Sequence, residues 1–469
     1  MLTAPMRHQA RAADKLDGLR AGALFMEMGT GKTRVFLDLA LRKVRAGKAS
    51  RTVILCPVSG KDHLADETVK HTGHAAAVHG DVYTSTAAEI NIIGIESQST
   101  SIRAMNRLAE LAQDAVVVID ESQLIKNRDT ARARHIAEAA RGARYRYIST
   151  GLPMPNGVED LYSQMNWLSP LILGYRSYSE FARYHLRHAG DDFGLRGQGR
   201  IVGRFNTDVI AAKVAPYTFE ARKADCLDLP PKTYSYRTAQ IGDEAQAAYA
   251  EAKRRILFGR NAFDVDDATI YRLFTALQMI SSGVRPRWLF EEGEFDDLPN
   301  AKLPLLSDVL SEAAGKTVVW CKYLAEADAA EQAVVAAGRR GVRIDGKVKR
   351  AERRARLADF RRDADVLIST LQVGGMVHDW GFADTAIYMS NSFDYMLRAQ
   401  SEDRTHRAMM TGKAHYIDLR GDTGIERRIA RSLNCKENAL RAFQDTIRQL
   451  RSQGTKAARD AIVDEVAAL

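Results

Sequence analysis

Met26-Glu27-Met28-Gly29-Thr30-Gly31-Lys32-Thr33 decides how this chain is read. The apolar run Ala23–Met26 precedes it, and the helical periodicity of Lys32–Arg45 follows. A glycine-rich turn between a strand and a helix is a phosphate loop in its required setting. Glycines let the backbone N–H groups turn inward, and the helix N-terminus adds a favourable partial positive charge. Met28, Gly29, Thr30 and Gly31 then form the cradle. Lys32 reaches the β/γ oxygens of a nucleotide such as ATP, and Thr33 holds Mg²⁺. The strict eight-residue pattern wants Gly at its first position, where this chain has Met26.

Downstream, Val117-Val118-Ile119-Asp120-Glu121-Ser122-Gln123 ends an apolar run on two carboxylates. Open α/β sheets bind ligands at the C-terminal ends of their strands, where these carboxylates fall. Asp120 is placed to bind the metal and Glu121 to polarise an attacking water. Asp120 follows Lys32 by 88 residues, room for three βα units. The two motifs together define a nucleoside triphosphatase.

Around them, short β-branched runs alternate with amphipathic stretches in two series. The first is Ala23–Met26, Thr52–Pro57, Asn91–Ile95, Ala115–Asp120 and Arg146–Thr150. The second is Thr317–Cys321, Gly341–Asp345, Asp365–Thr370, Ala386–Ser390 and Ala414–Leu419. This pattern predicts two parallel α/β domains. The expected division is a first lobe over 1–232, with an insertion at about 171–220, then a helical insertion or linker over 233–300. A second lobe over 301–435 and a helical tail over 436–469 complete it. Gly190–Gly203 reads as a loop, Ile256–Gly283 as helix, and Pro230-Pro231 as a boundary. No Asn-Gly or Asp-Gly turn flanked by alternating apolar runs marks a hairpin between the lobes.

Composition excludes other classes. The chain has 469 residues, 45% hydrophobic and 27% charged, which is ordinary globular usage. Its 68 Lys+Arg against 59 Asp+Glu leave +9, a balance suited to a polyanion such as nucleic acid. Cys56, Cys226, Cys321 and Cys435 form no CxxC pair, so neither a zinc ribbon nor a disulfide framework is signalled. No apolar run is long enough to span a membrane, and a reducing cytoplasm (a host's, if phage-encoded) is the expected compartment.

Further motifs carry a family resemblance. Pro5-Met6-Arg7-His8-Gln9 precedes the phosphate loop, and Ile54–Ser59 and Ile95-Glu96-Ser97 follow it. Asp120–Asn127 leads to Ser149-Thr150-Gly151-Leu152-Pro153-Met154-Pro155-Asn156 and Glu159–Tyr162. Later come Arg222–Asp225, Leu229–Lys232, Thr317–Lys322, Gly374-Gly375 and Gln400-Ser401-Glu402-Asp403-Arg404-Thr405-His406-Arg407. In this order they resemble a superfamily-two helicase of the Swi/Snf-type DNA translocase branch, in a compact phage or bacterial form. The resemblance implies two RecA-like lobes with ATP in the cleft between them. It also implies that Gln9 reads adenine, that Gly374 and Gln400 contribute to the nucleotide site, and that Arg404 and Arg407 act as catalytic arginines. Gln400, Arg404 and Arg407 at i, i+4 and i+7 would share one helical face. Departures are Gln123 where His is frequent, Leu152 where Thr is usual, and Asn391-Ser392-Phe393 in place of Trp-Asn-Pro.

Gly338–Arg362 holds eleven Lys/Arg against three acids. Arg350, Arg353, Arg354 and Arg361 are the expected phosphate contacts, made without reading bases. The expected activity is ATP-driven movement on duplex DNA with remodelling of forked or branched DNA. An RNA helicase of the same superfamily and an ATP-gated DNA clamp remain as alternatives.

Overall fold

The protein is described from a computed structural model covering residues 1–80, 86–188, 201–296, 298–374, 380–406, 414–436 and 438–469. The chain divides into two units, Met1–Asp228 and Leu229–Leu469.

The first unit is built on strands β1 (Ala21–Met26), β2 (Thr52–Cys56), β3 (Ala77–Val78), β4 (Ile90–Gly94), β5 (Val116–Asp120) and β6 (Tyr145–Thr150). An antiparallel pair, β7 (Leu186–His188) with β8 (Ile201–Arg204), and a last strand, β9 (Thr218–Ala221), complete its strands. The sheet order is β3-β4-β2-β5-β6-β1-β9, and every recorded pairing in it is parallel. Continuous apolar strands follow from burial on both faces. Ala23 and Phe25 of β1 join Val117 and Ile119 of β5 in one core, while Leu24, Met26, Val116 and Val118 join the other. The helix Lys32–Arg45 covers the second face with Val35, Phe36 and Leu39.

The second unit contains β10 (Lys232–Ala239), β11 (Thr317–Cys321), β12 (Gly341–Ile344), β13 (Val366–Thr370), β14 (Thr385–Tyr388) and β15 (Ala414–Gly421). They form a parallel sheet in the order β10-β15-β14-β11-β13-β12. Val319 and Cys321 face one core, and Val318 and Trp320 the other.

Three expectations change. Residues 233–300 do not open as a helical segment, because Lys232–Ala239 is an edge strand paired with β15 along its whole length. Its alternating, largely exposed Lys-Thr-Tyr-Ser-Tyr-Arg pattern hides the strand from an apolar-run search. Ile256–Gly283 is not one helix: Asp243–Leu257 ends before Gly259 (φ 71°), and Asp266 caps a new helix, Asp267–Ser281. Residues 436–469 are not a separate tail. Phe443, Ile447 and Ile462 share a core with Phe274, Leu277 and Ile280. The expected 190–203 loop falls mostly outside the described residues, but Ile201–Arg204 pairs with Leu186–His188, an antiparallel pair without an Asn-Gly or Asp-Gly signal. Among the described residues no helix is long and apolar enough to cross a membrane.

Candidate nucleotide site and arginine helix

In the first unit the turn between β1 and the helix Lys32–Arg45 has left-handed glycines, Gly29 at φ 81° and Gly31 at φ 83°. A side chain at Gly31 would also strike the Gln9 amide, at 2.1 Å from Nε2. Thr30 is fully buried and its hydroxyl donates to the Glu27 carbonyl at 2.7 Å. Lys32 is buried, with Nζ donating to the Met26 carbonyl at 3.1 Å. Met28 is buried beside Gly151, whose ideal Cβ would lie 3.3 Å from the Met28 nitrogen. Thr33, in the first turn of the helix, is partly exposed.

Gln9 sits on this loop. Its Oε1 accepts from the Met6 N–H at 3.0 Å and its Nε2 donates to the Thr30 carbonyl at 3.1 Å. The same carbonyl is 2.8 Å from His8 Nε2, a contact that sequence reading did not anticipate. Gln9 therefore braces the phosphate loop directly, in addition to the adenine contact expected of it.

Asp120 ends β5 and accepts from the Ser149 hydroxyl of β6 at 3.1 Å. Burial, then the adjacent Glu121 carboxylate, pushes Asp120 up to about 6, against the pull of Lys32. Glu121 itself has a left-handed backbone (φ 58°), a strained setting for a non-glycine residue. Its Oε2 accepts from Gln123 Nε2 at 2.9 Å, and Gln123 Oε1 accepts from the Thr150 hydroxyl at 2.6 Å. Thr150 Oγ1 in turn accepts from the Leu152 N–H at 2.9 Å. Ser122 donates to Gln164 Oε1 at 2.7 Å, and Gln164 Nε2 donates to the Pro153 carbonyl at 2.7 Å. The segments 120–123 and 149–153 are thus bonded twice. The chemistry of Gln123, a donor at one end and an acceptor at the other, is what bridges them. The residue type was visible in the sequence, but its partners were not.

These groups fit a nucleotide and a divalent cation. Left-handed glycines open the loop, and the Asp120 carboxylate, whose proton affinity is raised, gains by facing a hard cation. Thr33 and Asp120 would hold the metal, and Mg²⁺ when bound supplies positive charge at the phosphates.

In the second unit, Gln400 and Arg404 lie on the helix Tyr395–Thr405, with Arg404 buried and Gln400 partly exposed. That helix closes at Thr405 with His406 as its cap, so the expected common face is described for Gln400 and Arg404 alone. Arg407 lies outside the described residues, as does Gly375. Gly374 is described only as the last residue of the short helix Leu371–Gly374.

The basic track is largely committed within its own unit. Arg353 donates to the Val348 and Asp345 carbonyls at 2.9 and 3.2 Å, and Arg356 to the Arg343 carbonyl at 2.8 Å. Arg339 donates to the Gly315 carbonyl at 2.6 Å, and Arg340 pairs with Asp359 at 2.7 Å. Arg353 therefore braces the 345–348 loop, a role not expected from the sequence. Lys347, Lys349, Arg354, Arg361 and Arg362 are exposed, and nothing is described of the Arg350 side chain.

A parallel α/β unit with a phosphate loop and an acidic strand end, followed by a second such unit, is the architecture of a nucleoside triphosphatase of the helicase class. Residues 13–282 match the SNF2-related domain and residues 301–409 the helicase conserved C-terminal domain. The first match covers more than half of the chain, and the chain belongs to the SNF2-related family, an ATP-hydrolysing enzyme built here on two parallel α/β units. The DNA annealing helicase and endonuclease ZRANB3 of Mus musculus is 23% identical over 352 residues, 73% of this chain and 31% of that protein. The uncharacterized ATP-dependent helicase MG018 of Mycoplasma genitalium is 22% identical over 442 residues, 91% of this chain and 40% of that protein. The chain thus spans well under half the length of these relatives. The Sulfolobus solfataricus SWI2/SNF2 ATPase core in complex with dsDNA is 20% identical with a TM-score of 0.43, covering 97% of this chain and 96% of that one.

Proposed function

We propose that this enzyme uses ATP hydrolysis to move on duplex DNA and to remodel forked or branched DNA. The observation that carries the hydrolytic part is the Asp120-Glu121 pair, held by Ser149 and Gln123 at the strand end beside the left-handed phosphate loop. Lys32 releases the Met26 carbonyl to meet phosphate oxygens. Glu121, aimed by Gln123, takes a proton from the attacking water. Arg404 and Arg407 supply positive charge to the transition state, where it spreads over the phosphoryl oxygens. The DNA part is supported by family membership, by the +9 net charge, and by what the relatives' names say they act on.

A motor that grips phosphates travels along a duplex without melting it. It separates strands where a junction offers equivalent re-pairing. The test measures ATPase with no nucleic acid, single-stranded DNA, duplex DNA, forked DNA and RNA. It also compares a mobile four-way junction, a fork, a blunt duplex and a tailed duplex under identical ATP. Stimulation by duplex DNA with remodelling of the junction or fork is expected. Efficient unwinding of the tailed duplex alone, or stimulation by RNA alone, overturns the reading. ATP-gated binding without displacement of a triplex-forming strand leaves a clamp in its place.

A further inference from the structure

The helix turn that carries Arg404 is bonded on both sides to the segment that opens the second unit. His406 Nε2 lies 2.8 Å from the Pro230 carbonyl. Two residues further on, Lys232 Nζ donates to Glu402 Oε2 at 2.8 Å, and the Tyr234 hydroxyl donates to the same oxygen at 2.9 Å. Arg404 stands midway between Glu402 and His406. The helix ends at Thr405, in a turn that would otherwise be free to fray.

Glu402 is anchored from below as well. Its Oε1 accepts from Arg398 Nε at 2.7 Å, and its main-chain carbonyl accepts from the Tyr416 hydroxyl at 3.1 Å. Arg398 is buried, donates to Asn391 Oδ1 at 2.7 Å, pairs with Asp418, and lies 3.5 Å from the centre of the Tyr388 ring. The turn therefore has a fixed footing on β14 and β15, and an attachment on its outer side to residues 230–234. Consecutive prolines at 230 and 231 stiffen that attachment, since each ring locks its φ.

We infer that Lys232, Tyr234 and Pro230 latch Glu402 and His406, so that the opening segment and edge strand β10 of the second unit set the position of Arg404. Lys232 and Tyr234 are positioning residues: they act on Arg404 through the helix turn. The inference rests on the reading of Arg404 as an arginine that serves hydrolysis. The latch is distinguishable from a mere stabilising pair by a loss of rate that is not accompanied by a loss of affinity. Tyr234 is 60% exposed, but the Lys232–Glu402 pair is largely buried, with side chains 25% and 10% exposed, and Arg398 still faces Glu402 when Lys232 is replaced. A misplaced catalytic group is costly in rate.

The experiment uses the whole chain, with Lys232→Met and Tyr234→Phe combined, Lys232→Arg alone, and Arg404→Ala as reference. DNA-stimulated turnover, ATP-analogue affinity, DNA affinity and Tm are measured for each. The double variant is expected to lose about tenfold in stimulated kcat, with affinities unchanged. Its Tm should fall by a few degrees, because a largely buried ion pair is broken while Arg398 still pairs with Glu402. Lys232→Arg keeps the ion pair and should retain most of the turnover. Normal turnover in the double variant, beside a slow Arg404→Ala, overturns the latch alone. A loss of turnover matched by a loss of ATP-analogue or DNA affinity also overturns it, as a purely structural effect. Normal turnover in Arg404→Ala overturns the reading of that arginine and the latch with it.

Discussion

The two parallel sheets put opposite kinds of polar site at their strand ends. In the first unit, β1 and β5 lead into backbone held in left-handed conformations at Gly29, Gly31 and Glu121. There a carboxyl is pushed up to about 6 by burial and by a neighbouring carboxylate. In the second, the helix between β14 and β15 carries charges that are answered from it and from the sheet: Arg398 with Glu402 and Asp418, and Lys232 with Glu402. Glu402 stays below the usual carboxylate range although burial opposes it, because Arg398 and Lys232 favour its charged form. The first arrangement is incomplete without a cationic ligand. The second is complete in itself and holds a helix still. Strained, like-charged groups mark the first unit, and oppositely charged pairs mark the second.

The comparison breaks most readily at the first unit. Lys32→Ala and Glu121→Gln should each bring ATP turnover down by about 10⁴-fold, because the phosphate contact or the water-polarising base is gone. Glu121→Gln should still bind ATP, since the loop and Asp120 remain. Steady-state ATPase with a binding titration checks both, and undiminished turnover in either removes the site assignment. Next in size, Arg404→Ala should cost about 10³-fold in stimulated turnover, at the low end of what a catalytic arginine contributes. Nucleotide affinity should hold, because the first unit binds without it.

The second unit also contains a charge that burial disfavours, and it sharpens the contrast. Lys322 follows β11, with its ammonium 3.3 Å from the centre of the Phe393 ring and a hydrogen bond to Gln278. Burial pulls it down from 10.5 to about 7. A folded-state value below the unfolded one means that the cost of the buried charge is full below about pH 7. That cost fades as pH rises toward 10.5. Lys322→Met should therefore stabilise the protein near pH 7 by about 2 kcal/mol, discounted for relaxation around the charge. The gap in Tm should close as the pH is raised. A gap that stays constant with pH places the gain elsewhere.

The smallest expected effect is on DNA affinity. Reversing the exposed Lys347, Lys349 and Arg362 to Glu should weaken binding by about tenfold at moderate salt. It should also flatten the salt dependence by about 0.9 for each DNA phosphate left without its cation. Arg353→Glu should instead lower Tm, because Arg353 holds the Val348 and Asp345 carbonyls. If Arg353→Glu weakens DNA binding at unchanged Tm, the brace is the wrong reading.

Ten strands were legible as apolar runs because both faces of each sheet are covered, which forces continuous hydrophobicity along the chain. The helix Lys32–Arg45 was legible to the residue for a related reason, since its periodic apolar face follows a glycine turn. β9 and β10 were not legible, because an edge strand faces solvent along one side and its composition follows the water more than the sheet. The candidate site divides the same way. Lys32, Thr33, Asp120 and Glu121 announce themselves because phosphate and metal chemistry demand particular side chains at short spacing. The Gln123–Thr150 bridge joins residues 27 positions apart, and the Lys232–Glu402 bridge joins residues 170 apart. Sequence alone pointed to the groups suited to the chemistry, because that depends on residue type. Only the tertiary structure decided which groups hold them in place, because a hydrogen bond between distant residues depends on how the strands are ordered in the sheet, and nothing local in either residue specifies its partner.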